Sequence, residues 1–144
     1  MNDYLNDAMI LRQIIMDHYE YPRNHNLVED NTYKRKHMNS ESCIDDIEVQ
    51  VKLNNNKIED IRFDGEACTI ATASTSIMSE LLRDKSIEEA NSIIENYYNM
   101  INEKDYDEDS LEEAIAFKTV GKQANRIKCA TIGWDAIKEL INER

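Results

Sequence analysis

Between Ile47 and Phe63 the chain is written in period two. Ile47, Val49, Val51 and Leu53 alternate with Glu48, Gln50 and Lys52, and the apolar positions resume at Ile58, Ile61 and Phe63. Successive side chains of a strand point to opposite faces, so the pattern describes two half-buried strands. Asn54-Asn55-Asn56 stands between them, and asparagine tolerates the positive φ of a tight turn. The pair therefore reads as an antiparallel hairpin with one apolar face, which helices must cover.

Helical periodicity fills most of the remaining chain. From Asp7 to Tyr19, Ile10, Leu11, Ile14 and Ile15 recur at helical spacing, and Pro22 ends the run, leaving Tyr21 to Asn26 as a turn. Leu27 to Ser42 is polar and irregular, with one short strand expected near Tyr33. Beyond the hairpin, Asp64-Gly65-Glu66-Ala67 leads to Cys68. The helix expected there is small at its start (Ala71, Ala73, Ser74) and then apolar (Ile77, Met78, Leu81, Leu82). Small residues at that start would let a neighbouring backbone come close. Ser86, with Glu88 and Glu89 in the first turn, caps a further helix through Ile93, Ile94, Tyr97 and Met100. Lys104 to Glu113 reads as exposed and acidic, grading into a short helix from Ala114 to Val120. Gly121 to Asn125 reads as a connection, and the last helix is expected to start near Cys129.

The 144 residues make one domain, and no apolar stretch approaches the roughly 20 residues needed to span a bilayer. The first residues lack a basic region followed by an apolar run, so a cytoplasmic protein without a membrane role is expected. A formal charge of −12 argues against nucleic acid as partner, and the cationic cluster Tyr33 to His37 reads as a solvated turn. With three glycines there is no phosphate-binding loop. Ser74 and Ser76 have no histidine–acid pattern nearby in sequence, and Asp105 to Asp109 lacks calcium-loop spacing.

Three cysteines remain: Cys43, Cys68 and Cys129. An odd number in a cytosolic chain favours metal binding or reactivity over disulfides. Cys68 and Cys129 each open an apolar-periodic segment, where unpaired helix N–H groups favour thiolate. Asp45 follows Cys43 at i, i+2, so in an extended segment both side chains leave one side. Three thiolates and one carboxylate make a four-ligand set that suits zinc. On spacing alone, three unrelated core cysteines explain the pattern equally well. His18, His25 and His37 are rival ligands, with His37 the main competitor of Asp45.

The words around the cysteines narrow the choice. Asp17-His18-Tyr19-Glu20-Tyr21-Pro22-Arg23-Asn24, Gly65-Glu66-Ala67-Cys68 and Arg126-Ile127-Lys128-Cys129-Ala130-Thr131-Ile132 resemble the IscU/NifU-like iron–sulfur assembly family, most closely its SufU branch. The resemblance covers nearly the whole chain. It implies an α+β fold, a small three-stranded antiparallel sheet packed against about five helices (SufE/NifU-like), as a single domain over 1–144. SufU-type proteins carry an insertion between the last two cysteines, which would be a helical segment at about 86–113. Lys128 stands where IscU-type proteins carry a histidine.

By position, the resemblance makes Cys43 the sulfur acceptor and a zinc ligand, completed by Asp45, Cys68 and Cys129. The activity it implies is of sulfurtransferase type, with persulfide sulfur taken from a SufS-type cysteine desulfurase for a downstream iron–sulfur scaffold. The alternative is an IscU-type scaffold carrying a transient 2Fe–2S cluster. Arg126 and Lys128 are the expected partner-binding residues, placed to offset the negative charge of the ligands. The chain departs from the family words at Ile44, Ala67 and Ala124, where glycine, glycine and proline are usual. Ligands are kept while loop hinges change.

Overall fold

The computed structural model of the chain describes residues 7–39 and 44–143. The period-two segment forms β2 (Asp46–Asn54) and β3 (Lys57–Glu66), joined by Asn55 and Asn56, both at positive φ. The strand expected near Tyr33 is β1 (Lys34–Asn39), and the sheet runs β1-β2-β3, antiparallel throughout. Ile47, Val49, Val51, Ile58, Ile61 and Phe63 are buried beneath the helices.

The helices are α1 (Ala8–Glu20), α2 (Thr69–Leu82), α3 (Ile87–Ile101), α4 (Glu108–Leu111) and α5 (Ala124–Asn142), with 3₁₀ turns at Glu112–Phe117 and Val120–Lys122. α5 lies across β1 and β2, α2 packs on β3 and α5, and α1 packs on α2. The described residues thus show the expected α+β architecture, three antiparallel strands backed by five helices. Ser86 caps α3 in a full capping box with Glu89. The segment 86–113 is α3, a connection and α4.

Three segments differ from the sequence reading. The cationic cluster Tyr33 to His37 is not a turn, since Lys34 to His37 lie in β1. Lys104–Glu113 is not simply an exposed acidic run. Asp107 caps α4, Leu111 is completely buried, and Glu113 reaches back to α1. The last helix starts at Ala124, not near Cys129. Gln123, at its N-cap, makes no side-chain capping bond, so no local signal marks the start.

The word Asp17 to Asn24 is a clasp. Arg23 Nη2 meets Asp17 Oδ2 at 2.6 Å, and the Asn24 amide donates to Ser79 Oγ at 2.9 Å on α2. Phe63 N–H donates to Asn24 O, and Asn26 N–H donates to Phe63 O, so the turn after α1 is laid along β3. Positive φ at Asn24 and Asn26 allows that path.

Candidate metal centre

Strand register delivers the first two donors. Asp46 pairs with Glu66, so Asp45, just before β2, lies beside the segment that leads from β3 into α2. Gly65 tightens that junction. Its φ of +138° is one that side chains avoid, and a Cβ there would lie 2.0 Å from Asp46 O. Asp45 Oδ1 accepts the backbone N–H of Cys68 at 2.8 Å, and Oδ2 lies 3.7 Å from Cys68 Sγ. Asp45 is buried, whereas Ile44 beside it is 73% exposed.

Cys68 is the N-cap of α2, and its sulfur accepts the N–H of Ala71 at 3.4 Å. This sulfur therefore meets a helix N–H that has no partner within the helix. Cys129 does not. It lies five residues past the first residue of α5, beyond the first turn in which the dipole acts. It reaches the site because α5 packs along α2. The donor atoms of Asp45, Cys68 and Cys129 all lie within 4.8 Å of one another, the one such group of three or more among the described residues.

That donor set fits zinc. Bonds of about 2.0–2.3 Å from one centre leave ligand atoms roughly 3.3–3.8 Å apart, so a small inward movement would seat an ion. Two thiolates beside a buried carboxylate repel one another, and a dication among them removes that repulsion. Cys43 lies outside the described residues, two positions before Asp45 in sequence.

The two sulfurs open on a cavity of about 790 Å³ among α1, α2, the 3₁₀ turns and the start of α5. Leu11, Ile15 and Val120 line it with Arg12, Lys118 and Arg126, and no described carboxylate does. In a chain of charge −12 this is a local reversal of sign. Arg126, three residues before Cys129, shares its side of α5. Lys128 is placed elsewhere. Its Nζ lies 3.2 Å from Asp135 Oδ2, in a separate groove with Met38 and Lys138. Its charge is committed there, so of the two expected cations only Arg126 borders the sulfurs.

The histidines have other partners. His37 is exposed on β1 and pairs with Asp46 across the strands. His25 contacts the Phe63 ring and lies 3.1 Å from Asp64. His18 is 1% exposed, with Nδ1 2.8 Å from Ser76 Oγ and Nε2 2.9 Å from Glu113 Oε1. Tertiary packing thus builds a serine–histidine–acid row that sequence proximity did not contain. It is structural, because Ser76 is completely buried and its oxygen already accepts the Arg23 N–H at 2.9 Å. With Glu113 ionised, Nε2 donates to the carboxylate and Nδ1 accepts from Ser76. The His18 hydrogen bond, outweighing partial burial, holds the Glu113 carboxyl below its ordinary value.

Residues 10–143 match the family described as NifU-like N terminal domain. The chain belongs to this family. Over 131 residues it is 38% identical to the zinc-dependent sulfurtransferase SufU of Bacillus subtilis (strain 168), covering 90% of this chain and 88% of that protein. Over 129 residues it is 36% identical to the iron–sulfur cluster assembly scaffold protein IscU of Streptococcus pyogenes serotype M1, covering 89% and 80%. A solved structure of a putative iron–sulfur cluster assembly scaffold protein for the SUF system, from Fervidobacterium islandicum AW-1, superposes with a TM-score of 0.81 at 30% identity, over 92% of this chain and 96% of that one. Among the described residues of this NifU-like domain, no helix is long and apolar enough to cross a membrane.

Proposed function

We propose that this chain is a zinc-dependent sulfur-transfer protein of iron–sulfur cluster assembly. It takes persulfide sulfur from a SufS-type cysteine desulfurase on Cys43 and passes it to a downstream scaffold in the cytoplasm. The observation that carries this reading is the convergence of Asp45, Cys68 and Cys129 donors within 4.8 Å, with Cys43 two residues from Asp45 as fourth ligand and acceptor. Zinc, when bound, holds such cysteines as thiolates near neutral pH and offsets their mutual repulsion.

The transfer balances without an oxidant. The Cys43 thiolate attacks the outer sulfur of the desulfurase persulfide. A new S–S bond forms on Cys43, the enzyme's S–S bond breaks, and its cysteine leaves as thiolate. A thiol reductant or the receiving scaffold then takes the outer sulfur from Cys43. The rim of Arg12, Lys118 and Arg126 would draw an acidic partner surface toward this site. Lys128, on the other flank, would meet the partner only if its contact wraps around α5. In this reading α3 and α4, at about 86–113, are the insertion typical of the SufU branch.

A second reading has support in the 36% identity to the Streptococcus scaffold: the same ligands would hold a 2Fe–2S cluster as cargo. One experiment separates the two. The purified protein is analysed for zinc and iron, then added to its cognate desulfurase with cysteine and a thiol reductant. About one zinc per chain and faster sulfide release, abolished by Cys43→Ala, is the expected result. Iron with inorganic sulfide in place of zinc would favour the scaffold. Bound zinc without stimulation would exclude sulfur transfer.

A further inference from the structure

Where α5 crosses α2, Gly133 faces Thr75. A Cβ on Gly133 would lie 2.3 Å from Thr75 Oγ1, 2.9 Å from its Cγ2 and 3.0 Å from its Cβ. Thr75 has no room to retreat. It is completely buried, its Oγ1 donates to Ala71 O at 2.8 Å, and a β-branched side chain in a helix has few rotamers. The two helices are therefore closer than any side chain at 133 permits.

This contact lies one to two helical turns along from the two cysteines. Gly133 is four residues past Cys129 on α5, about one turn, and Thr75 is seven past Cys68 on α2, about two turns. The same crossing is tied by Ser74, whose hydroxyl donates to Ala130 O at 2.7 Å and accepts Trp134 Nε1–H at 3.0 Å. Glycine inside a helix opposes its local stability, so its presence at this buried position calls for a packing reason.

We propose that Gly133 is a positioning residue: its missing side chain lets α5 close on Thr75 of α2 to the separation at which Cys68 and Cys129 reach one metal ion. The inference rests on the reading of Asp45, Cys68 and Cys129 as metal ligands. Ordinary contact begins at 3.4 Å, so an alanine at 133 must part the helices by about 1 Å unless Thr75 gives way. Metal–ligand distances tolerate about 0.2 Å. Neither residue touches the ion, and their effect passes through the helix spacing alone.

The test is a titration of the reduced, metal-stripped protein with Zn²⁺ against a chromophoric chelator, and with Co²⁺ by visible absorption. Gly133→Ala should bind zinc about tenfold more weakly, or worse, with altered cobalt bands and an unchanged helical circular dichroism signal. Thr75→Ala, which deletes the two nearest atoms and leaves only the Cβ at 3.0 Å, should recover most of that roughly tenfold loss in the double variant. A Gly133→Ala protein with wild-type affinity and cobalt spectrum overturns the proposal. So does loss of zinc that Thr75→Ala does not restore. If Gly133→Ala does not fold, the double variant must both fold and bind zinc, and its failure to do so also overturns the proposal. A wild-type protein that takes up neither ion would instead sink the ligand assignment on which the proposal stands.

Discussion

Asp45 Oδ1 accepts the backbone N–H of Cys68 at 2.8 Å, locking the carboxylate before β2 to the N-cap of α2. The second oxygen then faces the cysteine sulfur at 3.7 Å. One carboxylate thus holds the N-cap residue of α2 by its N–H and places its other oxygen beside the sulfur. Asp45→Asn keeps the acceptor oxygen for the Cys68 N–H but replaces the anionic ligand by an amide. It should fold with little change and bind zinc at least tenfold more weakly by chelator competition. His37→Ala removes only an exposed pair with Asp46, so it should keep wild-type zinc affinity and cost less than about 1 kcal/mol. Zinc lost in His37→Ala and kept in Asp45→Asn would reverse the ligand assignment.

Cys68→Ala should separate metal-dependent from intrinsic stability. At a free zinc concentration about 1,000 times Kd, the ion stabilises a native site by about 4 kcal/mol. The wild-type Tm should therefore rise on adding zinc and fall with chelator. The variant should show little response to either, and a zinc shift of wild-type size would remove Cys68 from the ligand set.

Arg126 borders the cavity that holds the sulfurs but is not itself a ligand. Arg126→Ala should retain full zinc while a several-fold higher protein concentration is needed to half-stimulate the desulfurase. Because the effect is electrostatic, the gap from wild type should narrow as salt is raised. Equal loss at all ionic strengths would point to a packing role.

The Glu113 carboxyl is held below its ordinary value of 4.5 by the hydrogen bond from His18. A depressed carboxyl contributes stability above its unfolded pKa and loses it as pH falls through the folded one. In metal-free protein, wild type should be more stable than Glu113→Gln from neutral pH down to about 4.5, and the difference should close at lower pH. Denaturant unfolding of both proteins across pH 3–7 measures it. A difference that does not depend on pH would mean that the ionised Glu113 carboxylate contributes nothing.

Several local signals in the chain were sufficient for the elements they mark. Alternation at Ile47–Leu53 and Ile58–Phe63, asparagines at the turn, Ser86 before Glu88 and Glu89, and Cys68 before a small-residue run each act within a few residues, and each forms the expected strand, turn or helix start. Asp45, Cys68 and Cys129 were legible as candidate ligands by type, because few side chains bind a soft dication, and the structure brings their donor atoms within 4.8 Å of one another. Cys43, the expected acceptor, lies outside the described residues.

What the tertiary structure decided depends on contacts between residues far apart in sequence. The start of α5 at Ala124 has no capping side chain, so packing on α2 and the sheet, rather than a local motif, carries the helix past Cys129's own turn. His18 finds Ser76 at a separation of 58 residues and Glu113 at 95, which no window along the chain could pair. The division of Arg126 and Lys128 between two grooves follows from the rotation of about 100° per residue along a helix whose neighbours were not known. Gly133 against Thr75 is of the same kind. Residue types and local periods are written in the order of the chain, but the distance between two helices is set by the side chains that meet between them.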